Sequence, residues 1–540
     1  MTSRLLSLFC ACFVAPAPLL AQELPTFFHR LETGDVGPLG GPVLVPLAPT
    51  VNREQIVYQT AFDAPSMRYF TAQDQRLLFV QGDPLPGSNR VVLEPPQFMC
   101  VTPGGHLWAL VGLTDPTLPS GVLGLTHGGR TIAVPGQICT APGVPPGSRY
   151  STIATISGAF DEVCYVVAGL DLVGPTEVIL ELRTDSNGTL LSERVVAMPG
   201  MSIPGLGGTI NRALGGSIHE NGASCLTVVA NGSGGSAGGR VVVVNQSFTI
   251  RPGDPSPYPG RTWGALFGGT VSRHGHWLVS GELDDGKKVL VKNGQAFFHE
   301  DELPPELNTA GVGVAALEAL SISSRDRALW RVRMDQSTSP VTVGYFVERK
   351  PFLISQQTIV DGFPTGGQIE LCGADEDGVN VGVGLGYSGP SGNVSLGVAF
   401  PLDQSDVACT NGPASGGQEP TVSVHGSPWV ADGTDFEIMT QRIPARTFAL
   451  TLASDRPGSV SNPAGSIGDL CLSGQLFRSA PLRASQLGTT RVWLSQLFGS
   501  GVPTPSTGDT WYFQTWYRDV DSVSGGAVSR WTEAVSLEFE

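Results

Sequence analysis

The residue types in this sequence that first suggest metal chemistry are two histidines in the segment His274-Gly-His276. Imidazole nitrogens bind Zn²⁺ and related ions, but a site needs further ligands. No third histidine or carboxylate has a fixed spacing to this pair, so we interpret both as exposed turn residues. The sequence therefore predicts no metal site here.

Two acidic segments, Asp375-Glu-Asp377-Gly and Asp284-Asp285-Gly, resemble fragments of calcium-binding loops. Neither continues with the spacing that places a bidentate glutamate at the end of such a loop. Aspartate and glycine are also the residues that form tight turns. We interpret both segments as turns and predict no cofactor.

Catalytic signatures are weak in this chain. The sequence predicts no strand-turn-helix segment that would carry a nucleophilic serine, and it has no His-Glu-x-x-His motif. Its 48 acidic residues leave paired carboxylates open as a hydrolytic site. No catalytic residue is assigned from the sequence.

An aromatic segment near the C-terminus is the candidate ligand platform. Trp511, Trp516 and Tyr517 belong to one strand-like run, and flat aromatic rings can stack on sugars. Since alternate side chains of a strand point to opposite faces, half of this run should face a core. At most one face is therefore predicted to be free for a ligand.

The elements that must position such residues come from a pattern of about fifty residues that recurs seven times. Each copy has a small or polar residue, a Gly or Asp three positions later, and then an apolar strand. The copies are His219–Leu226, Ser272–Val279, Asp375–Val381, Thr102–Ala109, Gly158–Tyr165, Ser323–Trp330 and, more loosely, Asn52–Gln59. Units of this length cannot bury their own cores, so they should stack on one another.

Each unit also contains hairpin signals and a loop rich in Gly, Asp and Pro. Asn293-Gly294 separates two apolar runs in Val289–Phe298 and predicts a two-residue turn, while Arg240–Ile250 and Gly344–Ile354 have similar patterns. Loops of the second kind are Gln81–Gly87, Met198–Gly205 and Arg251–Gly260. About four strands per unit are typical of one blade of a β-propeller.

The two ends of the array favour a closed ring over an open solenoid. The seventh unit stops after Val394–Phe400, whereas Thr26–Pro38 is a strand and loop with no unit before it. An open solenoid would need atypical caps at both ends. We therefore predict an all-β chain in which residues 22–400 form a seven-bladed β-propeller that is closed by the N-terminal strand.

The remainder of the chain has a different character. Residues 401–420 are rich in Asp, Ser, Gly and Pro and predict a linker, and residues 421–540 predict an antiparallel β-sandwich. Cys409 and Cys471 are the two cysteines beyond the repeats, and we predict a disulfide that contributes about 4 kcal/mol. Cys164 and Cys225 occupy equivalent repeat positions and should be buried thiols.

The N-terminal segment and the net charge indicate where the chain is located and which class of partner it excludes. Residues 1–21 have an early arginine, an apolar run and a small final residue, as in a secretory signal peptide, and no other segment predicts a membrane span. A net charge of −16 argues against binding nucleic acid. We expect a secreted or cell-surface monomer.

Two resemblances follow from these patterns. The seven units resemble the tandem Asn-x-x-Gly-x-x-Ala-Phe repeats of exported bacterial proteins, although Asn is present only at Asn52 and Ala is often replaced. Asn462–Gly474 and Gly508–Asp519 resemble a C-terminal module of secreted planctomycete proteins. That module follows unrelated domains in its family, which implies retention at the surface, sorting or adhesion rather than a particular reaction.

The sequence thus leads to two main hypotheses of different classes, and a third possibility is that the propeller is only a rigid spacer. The first is a non-catalytic exported scaffold or binding protein whose propeller presents a face to a protein or polysaccharide of the envelope or matrix. The alternative is an extracellular polysaccharide-active enzyme, a hydrolase or lyase, with its site over the propeller channel. Because propellers serve both roles, the expected fold does not choose between them.

Overall fold

The computed structural model is all-β and consists of small antiparallel sheets. Helical turns among the described residues are Glu300–Glu302, Pro463–Gly465 and Leu494–Leu497. No helix within this part of the chain is long and apolar enough to span a membrane. The structure describes residues 26–539 except 33–34, 36–37, 41, 47–49, 52–56, 64–67, 74–75, 87, 103–104, 116–117, 173, 203–207, 220, 232–238, 305–306, 308–312, 323–325, 335–342, 355–358, 361–362, 375–379, 388–392, 400–404, 408–413, 416–418, 427–435, 485–487, 498–504 and 521–525.

Seven sheets, here called I to VII, follow one another along the chain and share one meander topology. Sheet I contains β2 (Val43–Pro46), β3 (Thr50–Val51), β4 (Val57–Asp63), β5 (Tyr69–Gln73) and β6 (Arg76–Val80). Sheet II contains β7 (Val92–Val101), β8 (Leu107–Asp115), β9 (Leu118–His127) and β10 (Arg130–Ala133). Sheet III contains β11 (Tyr150–Phe160), β12 (Val163–Leu172), β13 (Gly174–Thr184) and β14 (Leu190–Ala197).

The remaining four sheets of the series continue the same order. Sheet IV contains β15 (Thr209–Ile218), β16 (Ser224–Asn231), β17 (Arg240–Val244) and β18 (Phe248–Ile250). Sheet V contains β19 (Trp263–Val271), β20 (Trp277–Leu283), β21 (Lys288–Lys292) and β22 (Gln295–His299). Sheet VI contains β23 (Val314–Ile322), β24 (Ala328–Met334), β25 (Val343–Val347) and β26 (Lys350–Ile354). Sheet VII contains β27 (Ile359–Val360), β28 (Phe363–Ala374), β29 (Asn380–Tyr387), β30 (Asn393–Ala399) and β1 (Thr26–Glu32).

The repeated motif is the turn between the first and second strands of a sheet. In three sheets the first residue of the motif donates its main-chain N–H to the carbonyl of the residue four positions later, at 2.8 Å. The carbonyl of that first residue accepts from the N–H of the Gly three positions later, at 2.9 Å. The Gly or Asp position has a positive φ in five described copies: Gly105, Asp161, Gly222, Gly275 and Asp326. Glycine and aspartate tolerate this conformation, which explains the pattern. Parts of the Asn52–Gln59 and Asp375–Val381 copies lie outside the described residues.

The Gly/Pro loops form a second repeated turn, from the last strand of one sheet to the first strand of the next. Gly82, Gly136, Gly200 and Gly253 all have φ between 85° and 89°, as the third residue of a type II turn requires. Each donates its N–H to the beginning of the next sheet, for example Gly136 to the Tyr150 carbonyl at 2.7 Å. These turns fix the step from sheet to sheet.

Cores lie between neighbouring sheets, as expected of units that cannot bury their own. Buried side chains from adjacent sheets form shared clusters between each successive pair from I to VI. In the cluster between sheets V and VI, Trp330 is fully buried, stacks on Phe346 at 4.1 Å between ring centroids, and contacts Phe298 of the preceding sheet. Cys164 and Cys225 are free, fully buried thiols within these cores, as predicted.

The two ends of the series meet. Strand β1 pairs antiparallel with β30, with Thr26 opposite Ala399, so the N-terminal strand completes sheet VII as the sequence predicts. Strands β28 and β29 contact β3, and β30 contacts β2, so sheet VII lies against sheet I.

The C-terminal part has three sheets. One contains β31 (Ser405–Val407), β34 (Phe448–Ser454), β37 (Phe477–Arg478), β38 (Leu482–Arg483), β40 (Thr510–Val520) and β41 (Ala527–Glu538). A second contains β32 (Thr421–Gly426), β33 (Phe436–Gln441) and β39 (Thr490–Trp493), and a two-stranded one pairs β35 (Arg456–Ser461) with β36 (Asp469–Ser473). Val424 and Phe513, from the first two of these sheets, belong to one shared core.

The segment predicted as a linker departs from that prediction. Within it, β31 pairs with β41, with Ser405 opposite Ser536. Ser415 also donates its main-chain N–H to the Asp519 carboxylate at 2.8 Å. Ser405–Val407 and Ser415 therefore belong to the C-terminal sheet, because their backbone groups find partners there.

Candidate functional site

A pocket of about 400 Å³ opens where the turns of sheets I, II and III meet. Its lining is polar and includes two histidines, a tyrosine, an arginine and several amide or hydroxyl groups. The lining residues are Tyr58, Gln73, Arg76, Leu78, Gly105, His106, His127, Gly128, Ser186, Asn187 and Gly188. We call it the turn pocket.

Two kinds of turn place these residues. Gly105 and His106 come from the repeated motif of sheet II, whereas the other turns join third to fourth strands. The Tyr58 hydroxyl of sheet I donates to the Gly105 carbonyl at 2.9 Å and thereby links the two sheets at the pocket. Asp185 of sheet III accepts from the main-chain N–H of Asn187 at 3.0 Å, which fixes the third turn.

His127 is the most constrained group of the pocket. It is 2 % exposed and its ring stacks on that of Trp108 with centroids 4.3 Å apart, and the His106 ring lies 5.3 Å away. Its Nδ1 lies 3.1 Å from the Thr184 hydroxyl. That hydroxyl is placed to donate to the Glu162 carbonyl at 3.4 Å, so we assign the proton to Nδ1 of His127.

This tautomer makes Nε2 a hydrogen-bond acceptor. Among the described residues, Nε2 of His127 is buried and has no hydrogen-bond partner. Burial lowers the pKa of His127 from 6.5 to about 4, with a further contribution from His106 and smaller opposing ones from Asp161 and Asp185. The ring is therefore neutral near pH 7, and its buried Nε2 has no hydrogen-bond partner among the described residues.

The charged group of the pocket is Arg76, at the beginning of β6 opposite Gln73. Its charge opposes the burial that raises the pKa of Tyr58, so the guanidinium lies near the phenol. No aspartate or glutamate is among the described residues that line the pocket. The turn pocket thus combines neutral hydrogen-bonding groups with one permanent positive charge.

A second concave surface of about 410 Å³, the aromatic groove, lies between sheets IV and V. Phe248 is 49 % exposed, and its ring lies 5.6 Å from that of Trp277 at an angle of 35°. Pro255, Pro257 and Trp263 also line the groove. Its rings and prolines offer stacking surface and little charge.

The structure does not support the aromatic platform predicted at the C-terminus. Trp511 is 5 % and Tyr517 0 % exposed, and each packs in a core cluster. Trp516 is half-buried, with the Arg518 guanidinium 5.3 Å from its ring centroid. Trp511 and Tyr517 are excluded as ligand contacts because cores of the C-terminal sheets bury both rings.

The other sequence candidates behave as turn residues. His274 is exposed, and Nδ1 of His276 lies 3.8 Å from the Asp326 carboxylate. Asp284 and Asp285 both contact the Arg261 guanidinium, at 3.6 and 2.6 Å. Within the described ranges, no three histidine, cysteine, aspartate or glutamate side chains are placed to hold a metal. The Asp375–Asp377 segment lies outside those ranges.

Cys471 is buried and disulfide-bonded. Its predicted partner, Cys409, lies outside the described residues. Cys100, Cys139, Cys164 and Cys225 are free. The pairing of Cys471 with Cys409 therefore stays a prediction.

Comparisons with known proteins assign no family. No family model and no curated protein matches the chain. Among solved structures, it is similar to BBS1N from complexes with ARL6DN in mercury- and lead-soaked crystals, with TM-scores of 0.28 and 0.29, identities of 10 % and 12 %, and coverage of 70 % of this chain and 98 % of each match. It is also similar to a glycoside hydrolase family 32 structure from Bifidobacterium adolescentis, with a TM-score of 0.24, 11 % identity, and coverage of 95 % of this chain and 98 % of that one. At these TM-scores neither similarity assigns a function.

Proposed function

We propose that this chain is an exported, non-catalytic binding protein whose sheets I to VII form a closed seven-bladed β-propeller. The pairing of β1 with β30 and the contact of sheet VII with sheet I support the closed ring. The C-terminal sheets would form a β-sandwich that associates with the cell surface. This role is the one implied by the resemblance to the secreted planctomycete module.

The ligand class we propose is a polysaccharide, and the observation that carries this choice is the buried acceptor of His127. A buried acceptor without a donor is costly, and a sugar hydroxyl would supply the missing hydrogen bond. The turn pocket has a volume of about 400 Å³, which accommodates one or two sugar rings. The aromatic groove offers Trp277 as a stacking surface for another part of the same polymer.

The lining of the turn pocket favours binding over hydrolysis. Glycosidases use two carboxyl groups, one as general acid and one as base or nucleophile, and no carboxylate is among the described residues that line this pocket. Among the first strands of the sheets, β11 and β19 carry no acidic or basic residue, whereas β7, β15 and β23 carry Glu94, Arg212 and Glu318. The choice of a binding role therefore rests on the turn pocket.

A glycan array combined with a turnover assay tests the proposal. We expect the wild type to bind at least one polysaccharide without releasing reducing ends or unsaturated products. His127→Phe keeps a ring beside Trp108 but removes the acceptor, and it should weaken binding about tenfold, the value of one lost hydrogen bond. His274→Phe, at an exposed turn of sheet V, should bind like the wild type.

Two results would contradict this function. Turnover of a bound glycan would replace it with the enzymatic alternative. Binding to none of the glycans, with capture of a protein partner that is insensitive to His127→Phe, would reject the turn pocket as a polysaccharide site.

A further inference from the structure

We infer that the turn pocket takes a carboxylated sugar, a uronic acid residue, and that the Arg76 guanidinium binds its carboxylate. This inference rests on the proposed function, because it adds charge selectivity to the same pocket. The inference specifies the class of ligand, and it is based on two side chains, His127 and Arg76.

Arg76 has no acidic partner among the described residues. Other arginines pair with carboxylates, as Arg68 does with Asp83 at 2.7 Å and Arg90 with Asp115 at 2.8 Å. Arg76 is exposed and forms no ion pair or side-chain hydrogen bond with any described residue. In a chain with 48 acidic and 32 basic residues, an unpaired guanidinium in a pocket is available for an anionic ligand.

The position of Arg76 makes that charge useful to a ligand that His127 also holds. Both side chains line one pocket of about 400 Å³, so one ring with its substituents can reach both. Arg76 stands beside the Tyr58 phenol, whose proton is donated to Gly105 and whose oxygen can still accept. One bound molecule could therefore place its carboxylate against the Arg76 guanidinium and a hydroxyl against Nε2 of His127.

Selectivity for an acidic ring follows from the charges around the site. The chain carries a net charge of −16, and such a field disfavours anions at most of its surface. No carboxylate is among the described residues that line the pocket, although the charges of Asp161 and Asp185 act on His127 from nearby. Gln73, Ser186 and Asn187 supply neutral groups for the hydroxyls of a uronate. Arginine matches a carboxylate with two parallel hydrogen bonds, which a neutral sugar cannot form.

Isothermal titration with matched ligands tests this inference. The probes are uronate trisaccharides, namely galacturonate, glucuronate and mannuronate, their methyl esters, and sodium acetate. We expect the wild type to bind at least one acid about tenfold or more tightly than its ester, with a preference that falls as salt rises. Arg76→Gln should lower the affinity for the acid to about that for the ester and so abolish the preference. Arg478→Gln removes another exposed arginine, from β37, and should retain the preference.

Each outcome decides a separate point. Equal affinity for acid and ester, or a preference that survives Arg76→Gln, would overturn the uronate inference while the polysaccharide function stands. Acetate that competes as well as the trisaccharide would show a general anion site and would also overturn it. If no acid, ester or other glycan binds, both the inference and the proposed function fail.

Discussion

Acid should destabilise this protein through His127 before most carboxylates titrate. Burial holds the pKa of this imidazole at about 4 in the folded chain, against an ordinary value of 6.5. The unfolded chain therefore binds a proton between these values that the folded chain does not, so stability falls as pH falls through this window and is fully present above 6.5. At about 1.4 kcal/mol per pKa unit, lowering the pH from 7 to 4.5 costs about 2.5 kcal/mol.

Guanidinium unfolding curves at pH 7, 6, 5 and 4.5 would measure this loss as a difference between variants. His127→Gln cannot titrate in this range, and its stability should fall by about 2.5 kcal/mol less than that of the wild type. His274→Gln, at an exposed position, should keep the wild-type dependence. Parallel pH profiles for the wild type and His127→Gln would refute the assignment of a buried, neutral imidazole.

Three further predictions concern the scaffold. Gly216→Ala should cost about 3 kcal/mol or more, because φ is 148° and a Cβ there would overlap the Cys225 carbonyl oxygen, whereas Gly222→Ala has free space and should cost only about 1 kcal/mol of backbone strain. Denaturant unfolding would compare the two, and equal costs would contradict the close packing at Gly216. Trp330→Ala should destabilise by about 3–5 kcal/mol, since the ring is fully buried against Phe346, and a change in Tm of less than a few degrees would contradict this. Thiol labelling of the unfolded chain without reductant should leave Cys409 and Cys471 unlabelled. If the intact mass shows that both are labelled, their pairing is disproved.

The local features of the fold could be predicted because short-range chemistry determines them. Asn293 and Gly294 have φ of 48° and 79° and join β21 to β22 with Lys292 opposite Gln295. This is a type I′ turn, which Asn-Gly favours almost irrespective of its surroundings. The repeated Gly or Asp position is predictable for the same reason, since a positive φ restricts the residue there.

The turn pocket could not be predicted in this way. Tyr58 lies on β4 and His127 ends β9, whereas His106 and Asn187 lie in turns of sheets II and III. Only the packing of the three sheets brings these residues together. One signal was available: His106 directly follows the Gly of its repeat, a position where the backbone is fixed and the side chain is free to vary. The aromatic run at Trp511 was misleading because a strand buried on both faces has the same composition as an exposed platform.

The repeats separate the residues that build the fold from those that carry chemistry. In sheets II, IV and V the same two main-chain hydrogen bonds close the turn, yet the residue after the Gly is His106, Ala223 or His276. Because main-chain atoms close the turn, a change of side chain at this position leaves its hydrogen bonds intact. The turn in sheet II lies at the turn pocket, which His127 and Arg76 also line. Substitutions at His106 or Arg76 should therefore alter ligand binding with little effect on stability, whereas substitutions at Gly216 should do the reverse.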